Sequence, residues 1–197
     1  MEQESRPQLS AGLLFAVTSL FWSAQYSYTN FINPELSRMG MSAAFMGLVS
    51  GAYGLTQTLL RIPLGMAADR IGRQKPFIVL GCLLTALASA GMLLFYHPLG
   101  FLFFRGLAGI ASASWVSFTI LFSGYFRTEE GPRRISQLNI GNMLGRLAGF
   151  LIILLLVPAL GVKSAFAFSL TVGALAFLSS LGLRETPTGR QGISLRE

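Results

Sequence analysis

One cysteine and one histidine in 197 residues leave this chain without most of the side-chain chemistry that enzymes assemble. Cys82 alone can form neither an intrachain disulfide nor a metal cluster, and its place inside an apolar run fits a buried, inert thiol. His97 sits in a short turn. No Ser–His pair, His-Glu-x-x-His motif or pair of acids within an apolar run exists, so neither an enzyme nor a bound metal or cofactor is expected. Charge is scarce too: 12% of residues, where a soluble domain carries roughly 25%. Acids are the rarest, with 8 Asp and Glu against 15 Lys and Arg.

The chain is instead apolar, with six long stretches at about 10–32, 43–67, 76–96, 98–123, 137–160 and 164–183. About 20 such residues cross the roughly 30 Å of a bilayer core. The expected fold is an all-α membrane protein, a bundle of six transmembrane helices over 1–183, with the lipid bilayer as its solvent. The run behind the polar first ten residues is too long for a signal-peptide core, so the first helix is expected to stay as an anchor. Residues 184–197 are polar and read as the start of a linker. Pro34, Pro76 and Pro98 are expected at helix boundaries, and Pro63 and Pro158 within helices.

The connections alternate in charge. Arg6, Arg70, Arg73, Lys75, Arg127, Arg133, Arg134, Arg184, Arg190 and Arg196 fall on one side, and only Arg38 and Lys163 on the other. The positive-inside rule puts the first side, with both termini, in the cytoplasm of a plasma (inner) membrane protein. This distribution accounts for most of the net charge of +7, so no nucleic-acid partner is expected.

Polarity inside a membrane is costly, so its placement is informative. Helix 1 carries Thr18, Trp22, Gln25, Thr29 and Asn33 on one face, with Tyr26 beside it. Helix 4 carries Arg105, Ser112, Trp115 and Thr119 on one face, and helix 5 carries Asn139, Asn142 and Arg146. These stripes predict a water-filled cavity lined by Trp22, Gln25, Tyr26, Thr29, Arg105, Ser112, Trp115, Asn142 and Arg146. Helices 3 and 6 have only Ser and Thr, which can bond their own backbone and face lipid. A second kind of stripe is small. Gly47, Gly51, Gly54 and Gly65 run along helix 2 with Thr58 and Arg61, and Gly141, Gly145 and Gly149 along helix 5. Such stripes fit either close packing within the unit or a sliding contact with another bundle. Arg61, Arg105 and Arg146 each lie roughly 10 Å inside a helix end, with no acid at that depth. A desolvated guanidinium needs a partner, and helix carbonyls, the interface, acids of another chain or an anionic solute would each supply one.

Gly65-x-x-x-Asp69-Arg70-x-Gly72-Arg73-x-Lys75, between the second and third of six helices, resembles the loop motif of the major facilitator superfamily. Arg105-Gly106-Leu107-Ala108-Gly109 resembles its fourth-helix arginine signature. The pattern departs at Ala67, Gln74 and Ala108, and Gly145-Arg146 stands where many drug antiporters have Gly-Pro. The resemblance implies one half of a two-bundle fold, a 3+3 inverted repeat. The second six-helix bundle, absent here, would come from the rest of a longer chain or from a second copy. Helices 1 and 4 would line the cavity and helices 3 and 6 stay peripheral. Helices 2 and 5 would meet the second bundle through Gly47, Gly51, Gly54, Arg61, Gly141, Gly145 and Gly149. Gly65, Asp69, Arg70, Gly72, Arg73 and Lys75 would form a gating loop, with Asp69 capping a helix of the other bundle and Arg73 paired to Glu129 or Glu130. The implied function is secondary transport of a small solute, anionic or drug-like, by alternating access and coupled to protons. An uncoupled facilitator, and a half-length subunit or fragment without transport of its own, are the competing readings.

Overall fold

A computed structural model describes residues 2–185, with side chains from residue 9 onward. Its elements are α1 (Glu2–Ser27), α2 (Thr29–Arg38), α3 (Ala43–Ile71), α4 (Lys75–Leu94), α5 (Pro98–Ala113), α6 (Trp115–Gly124), a 3-10 turn (Thr128–Glu130), α7 (Gly131–Leu160) and α8 (Lys163–Leu181). They make six spans, because α1 continues into α2 with a break at Tyr28, and α5 into α6 with a break at Ser114. Lys75–Leu94, Pro98–Gly124, Thr128–Leu160 and Lys163–Leu181 are long and apolar enough to cross a membrane. The first two spans are as long but diluted by polar side chains and glycine.

The spans pack in a repeating pattern. α1 lies against α7 and α8, α3 against α5, and α4 against α5 and α8. Exchanging spans one to three with spans four to six maps these pairs onto one another, as an internal repeat requires. Large apolar side chains such as Leu55, Leu59, Ile62, Met143, Leu147 and Leu155 point outward, which suits a lipid or helix environment.

Glycine sets the closest approach. A Cβ at Gly141 would come 2.8 Å from the Phe15 ring, and one at Gly149 would come 2.7 Å from Ser23 Oγ. A Cβ at Gly145 would collide with the Ser19 carbonyl. These three glycines therefore close α7 onto α1 inside the unit, and the expectation that they serve a second bundle is corrected. Gly47, Gly51 and Gly54 differ: nothing lies within 4 Å of a Cβ there, and they share an exposed face of α3 with Thr58 and Arg61.

Hydroxyls tie the bundle across its interior. Ser89 Oγ lies 2.6 Å from Ser169 Oγ, and Ser169 donates to the Ala24 carbonyl at 2.7 Å. One contact thus joins α4, α8 and α1. The helix-3 and helix-6 hydroxyls were expected to face lipid; Thr85, Ser89 and Ser169 are instead buried, because a hydroxyl among apolar helices gains by bonding across them.

Pro76 and Pro98 sit in the first turns of α4 and α5, where a missing N–H costs little. Pro63 and Pro158 lie inside α3 and α7, whereas Pro34 ends no helix and lies within α2. The motif stretch also differs from a long turn: α3 continues to Ile71, and the turn is residues 72–74. Gly72 has φ 68°, a left-handed conformation natural to glycine, and its N–H and that of Arg73 both donate to the Ala68 carbonyl.

Candidate functional site

Two arginines face aromatic rings along the broken first span. Arg105 of α5 is buried, its guanidinium 4.2 Å from the Tyr53 ring centre and 5.7 Å from that of Tyr28. Its Nη1 donates to Thr29 Oγ1 at 3.5 Å, and the Tyr53 hydroxyl meets Ser112 Oγ at 2.6 Å. Arg146 of α7 lies 4.4 Å from the Trp22 ring centre and 4.1 Å from that of Tyr26. Trp22 in turn packs edge-on against Trp115 at 5.4 Å. Each cation–ring contact contributes about 0.5–2 kcal/mol, more as water is excluded.

The structure thus gathers Trp22, Tyr26, Trp115 and Arg146 in one cluster and Thr29, Arg105 and Ser112 in another. Tyr26 and Thr29 link the two along span one. Asn142 is buried one helical turn below Arg146, and its Oδ1 has no hydrogen-bond partner. Gln25, like Ser112, is closed off rather than lining open space. It is fully buried, and its amide donates inward to Thr85 Oγ1 at 3.0 Å and the Ala108 carbonyl at 3.2 Å. A buried amide is held where bonds are available, so Gln25 ties α1 to α4 and α5.

Neither arginine has an acidic partner. Among the described residues the ion pairs are Arg38–Glu35 and Arg134–Glu130, both 2.7 Å and both away from these clusters. Arg61, the third arginine within a span, is exposed on α3. An apolar cleft of about 380 Å³ opens between α1, α6 and α7, lined by Ala11, Gly12, Phe15, Phe122, Gln137 and Ile140.

At the basic end, the motif residues are held by a carboxylate from the far end of the chain. Glu185 accepts from the backbone N–H of Gln74 (2.8 Å) and Lys75 (3.0 Å), satisfying free donors at the start of α4. Lys75 Nζ donates to the Leu181 carbonyl at 2.7 Å, which closes α8 onto the same point. Gln74, at a position where the motif is usually basic, is buried and donates to Asp69 Oδ1 at 3.2 Å. Tyr125 donates to the Arg184 carbonyl at 2.6 Å, and burial pushes its hydroxyl up to about 12. Arg70 and Arg73 are exposed. Among the described residues the expected pairing of Arg73 with Glu129 or Glu130 is not formed, and Glu130 pairs with Arg134 of α7. The linker reading falls on 184–197, of which 186–197 lie outside the described residues.

At the opposite end, the buried Glu35 carboxylate accepts from Arg38 Nη1 and from the Tyr96 hydroxyl, each at 2.7 Å. Burial, then that hydrogen bond, raises the Tyr96 pKa. Lys163 lies over the Tyr96 ring at 5.0 Å.

Tyr28, Tyr53 and Glu185 are not among the site residues expected from the sequence. The tyrosines stand beside the polar stripes rather than on them. Nothing in a polar tail ties Glu185 to a backbone N–H 111 residues away.

The fold has known counterparts. A bacterial homologue of the human lysosomal transporter Spinster, solved inward-facing and unoccupied, superposes with a TM-score of 0.77 at 20% identity, over 93% of this chain and 44% of that one. The efflux pump azaK of Aspergillus niger is 32% identical over 135 residues, 68% of this chain and 28% of that protein. The inner membrane transport protein YajR of Escherichia coli is 40% identical over 74 residues, 38% of this chain and 16% of that protein. The chain spans less than half the length of each of these three proteins. The sequence profile of the Major Facilitator Superfamily matches residues 11–196. This multi-pass helical chain belongs to the Major Facilitator Superfamily.

Proposed function

We propose that the chain acts as one half of a secondary transporter, moving a small anionic solute across a membrane by alternating access. The observation that carries this reading is the pair of arginines, Arg105 and Arg146, held on aromatic rings without a carboxylate to neutralise them. Sites that rock between two bundles bind solute near the bilayer midplane, where an unneutralised cation attracts an anion. The relatives' descriptions, an efflux pump and an inner-membrane transport protein, support transport as the activity. The second bundle docks on the exposed face of α3 around Gly47, Gly51, Gly54 and Arg61. Asp69 and its neighbours gate the basic end, which faces the cytoplasm of the plasma membrane. Proton coupling draws on an acid outside these spans, since no carboxylate lies between residues 36 and 68 or between 70 and 128.

That lack also favours a second reading, an uncoupled facilitator. Proteoliposome uptake with and without a protonophore separates the two. Coupled transport collapses with the gradient, and facilitated transport does not. Arg105→Ala and Arg146→Ala should both cut uptake of anionic solutes; unchanged uptake of every anion offered would remove the anionic reading.

A further inference from the structure

Three of the buried polar atoms without partners belong to Arg146 and to two of its neighbours. They are Trp22 Nε1, Arg146 Nε and Asn142 Oδ1. Trp22 touches Arg146, and Asn142 lies four residues before it on α7, so the three share one wall of the α1–α7 seam. Trp22 and Asn142 are more than nine-tenths buried, at 3% and 7% exposed. A buried donor or acceptor left unmade is expensive, and a water, an ion or a ligand group can complete it.

We infer that Arg146, Trp22, Asn142 and Tyr26 form a subsite for the carboxylate of an organic acid with a planar apolar body. On the transport reading, this is the head-group end of the solute site. The Trp22 and Tyr26 rings lie over the guanidinium and hold its plane. Nε on one edge makes no hydrogen bond, and a guanidinium edge binds a carboxylate through two parallel N–H donors. Trp22 Nε1 adds a third donor. Asn142, whose amide offers both a donor and an acceptor, reads a hydroxyl or N–H next to the carboxylate. Trp115, half-buried and edge-on to Trp22, and Tyr26 supply aromatic walls for the planar body. Among the described residues Arg146 is the cation in contact with Trp22 and Tyr26, so one negative charge is matched and a phosphate dianion is not.

Arg105 also braces the fold. Its Nη1 bonds Thr29 across the break in span one, with Tyr28 and Tyr53 over the guanidinium, so it holds span one against α3 and α5.

The protein reports on this site itself, because its two tryptophans, Trp22 and Trp115, both lie there. Tryptophan emission of the chain in proteoliposomes is titrated with benzoate and phenylacetate, and with their neutral amides. Saturable change with the acids, absent with the amides, is expected. Arg146→Lys keeps the charge but loses the bidentate edge, and Arg146→Gln loses both; each should weaken the response at least tenfold, with monodisperse elution in detergent confirming the fold. Arg133→Gln, exposed in the first turn of α7, should leave it unchanged. No saturable response to either acid, an equal response to the amides, or an acid response that survives in both Arg146 variants overturns the subsite. Flux of the same acids is followed in the same vesicles. Binding that depends on Arg146 without any flux keeps the subsite and removes the transport reading, whereas flux indifferent to Arg146 removes the subsite and keeps transport.

Discussion

Arg105 and Arg146 carry full charge into an apolar bundle, and each is held by rings rather than by an acid. The flat guanidinium makes this work, since its face stacks on an aromatic while its edge still donates. Arg105→Lys keeps the charge but cannot stack in that way. It should cost about 1–2 kcal/mol, read as a lower thermal midpoint in detergent. Glycine gives a sharper contrast at this scale. Gly145 is pressed against the Ser19 carbonyl, a backbone atom that cannot step aside. Gly145→Ala should therefore destabilise by about 1–3 kcal/mol. Gly51 has open space around it, so Gly51→Ala should stabilise by about 0.5–1 kcal/mol through helix propensity. Thermal unfolding of the two variants side by side tests both signs.

Among the elements, α4 is held at two points. Its N-terminus is capped by Glu185 from beyond α8, and its middle is tied to α8 and α1 through Ser89 and Ser169. Glu185→Gln removes a charge from a helix N-terminus and should cost about 0.3–1 kcal/mol, an effect that shrinks as salt is raised. Chemical unfolding at low and high ionic strength measures it. Tyr125 belongs to the same junction. Its hydroxyl, raised by burial from 10.0 to about 12, favours the neutral form in the fold. Its contribution is therefore present below pH 10.0 and lost as pH rises from there through about 12. An ultraviolet titration should show tyrosines ionising late, and Tyr125→Phe should reduce the amplitude of that late step by one residue. The helix-level pattern was readable early, because a stripe every three or four residues defines a face. What that face meets was not readable. Gly141, Gly145 and Gly149 form as regular a stripe as Gly47, Gly51 and Gly54, yet one lies inside the unit and the other outside it.

At the scale of the molecule, six spans repeat one packing scheme twice and leave the outer face of α3 bare. A face of glycines with open space above it accepts another helix closely, and on the proposed reading it receives the second bundle. Gly51→Trp should then leave the thermal midpoint of this unit unchanged while abolishing transport in reconstituted protein. A fall in midpoint would mean that the face packs within the unit after all.

The sequence by itself determined the spans, their number and the polar faces they carry, because hydrophobic length and helical period are local properties of neighbouring residues. It also carried the motif that runs from Gly65 to Lys75, although the helix proved to reach Ile71. The tertiary structure decided how those faces turn. Gln25 stands on the same stripe as Trp22, yet bonds inward, because the rotation of α1 is set by close contact with α7 and α8. It alone brought Glu185 to Gln74 and Tyr28 to Arg105, since such pairings depend on distances between remote residues that no local pattern encodes.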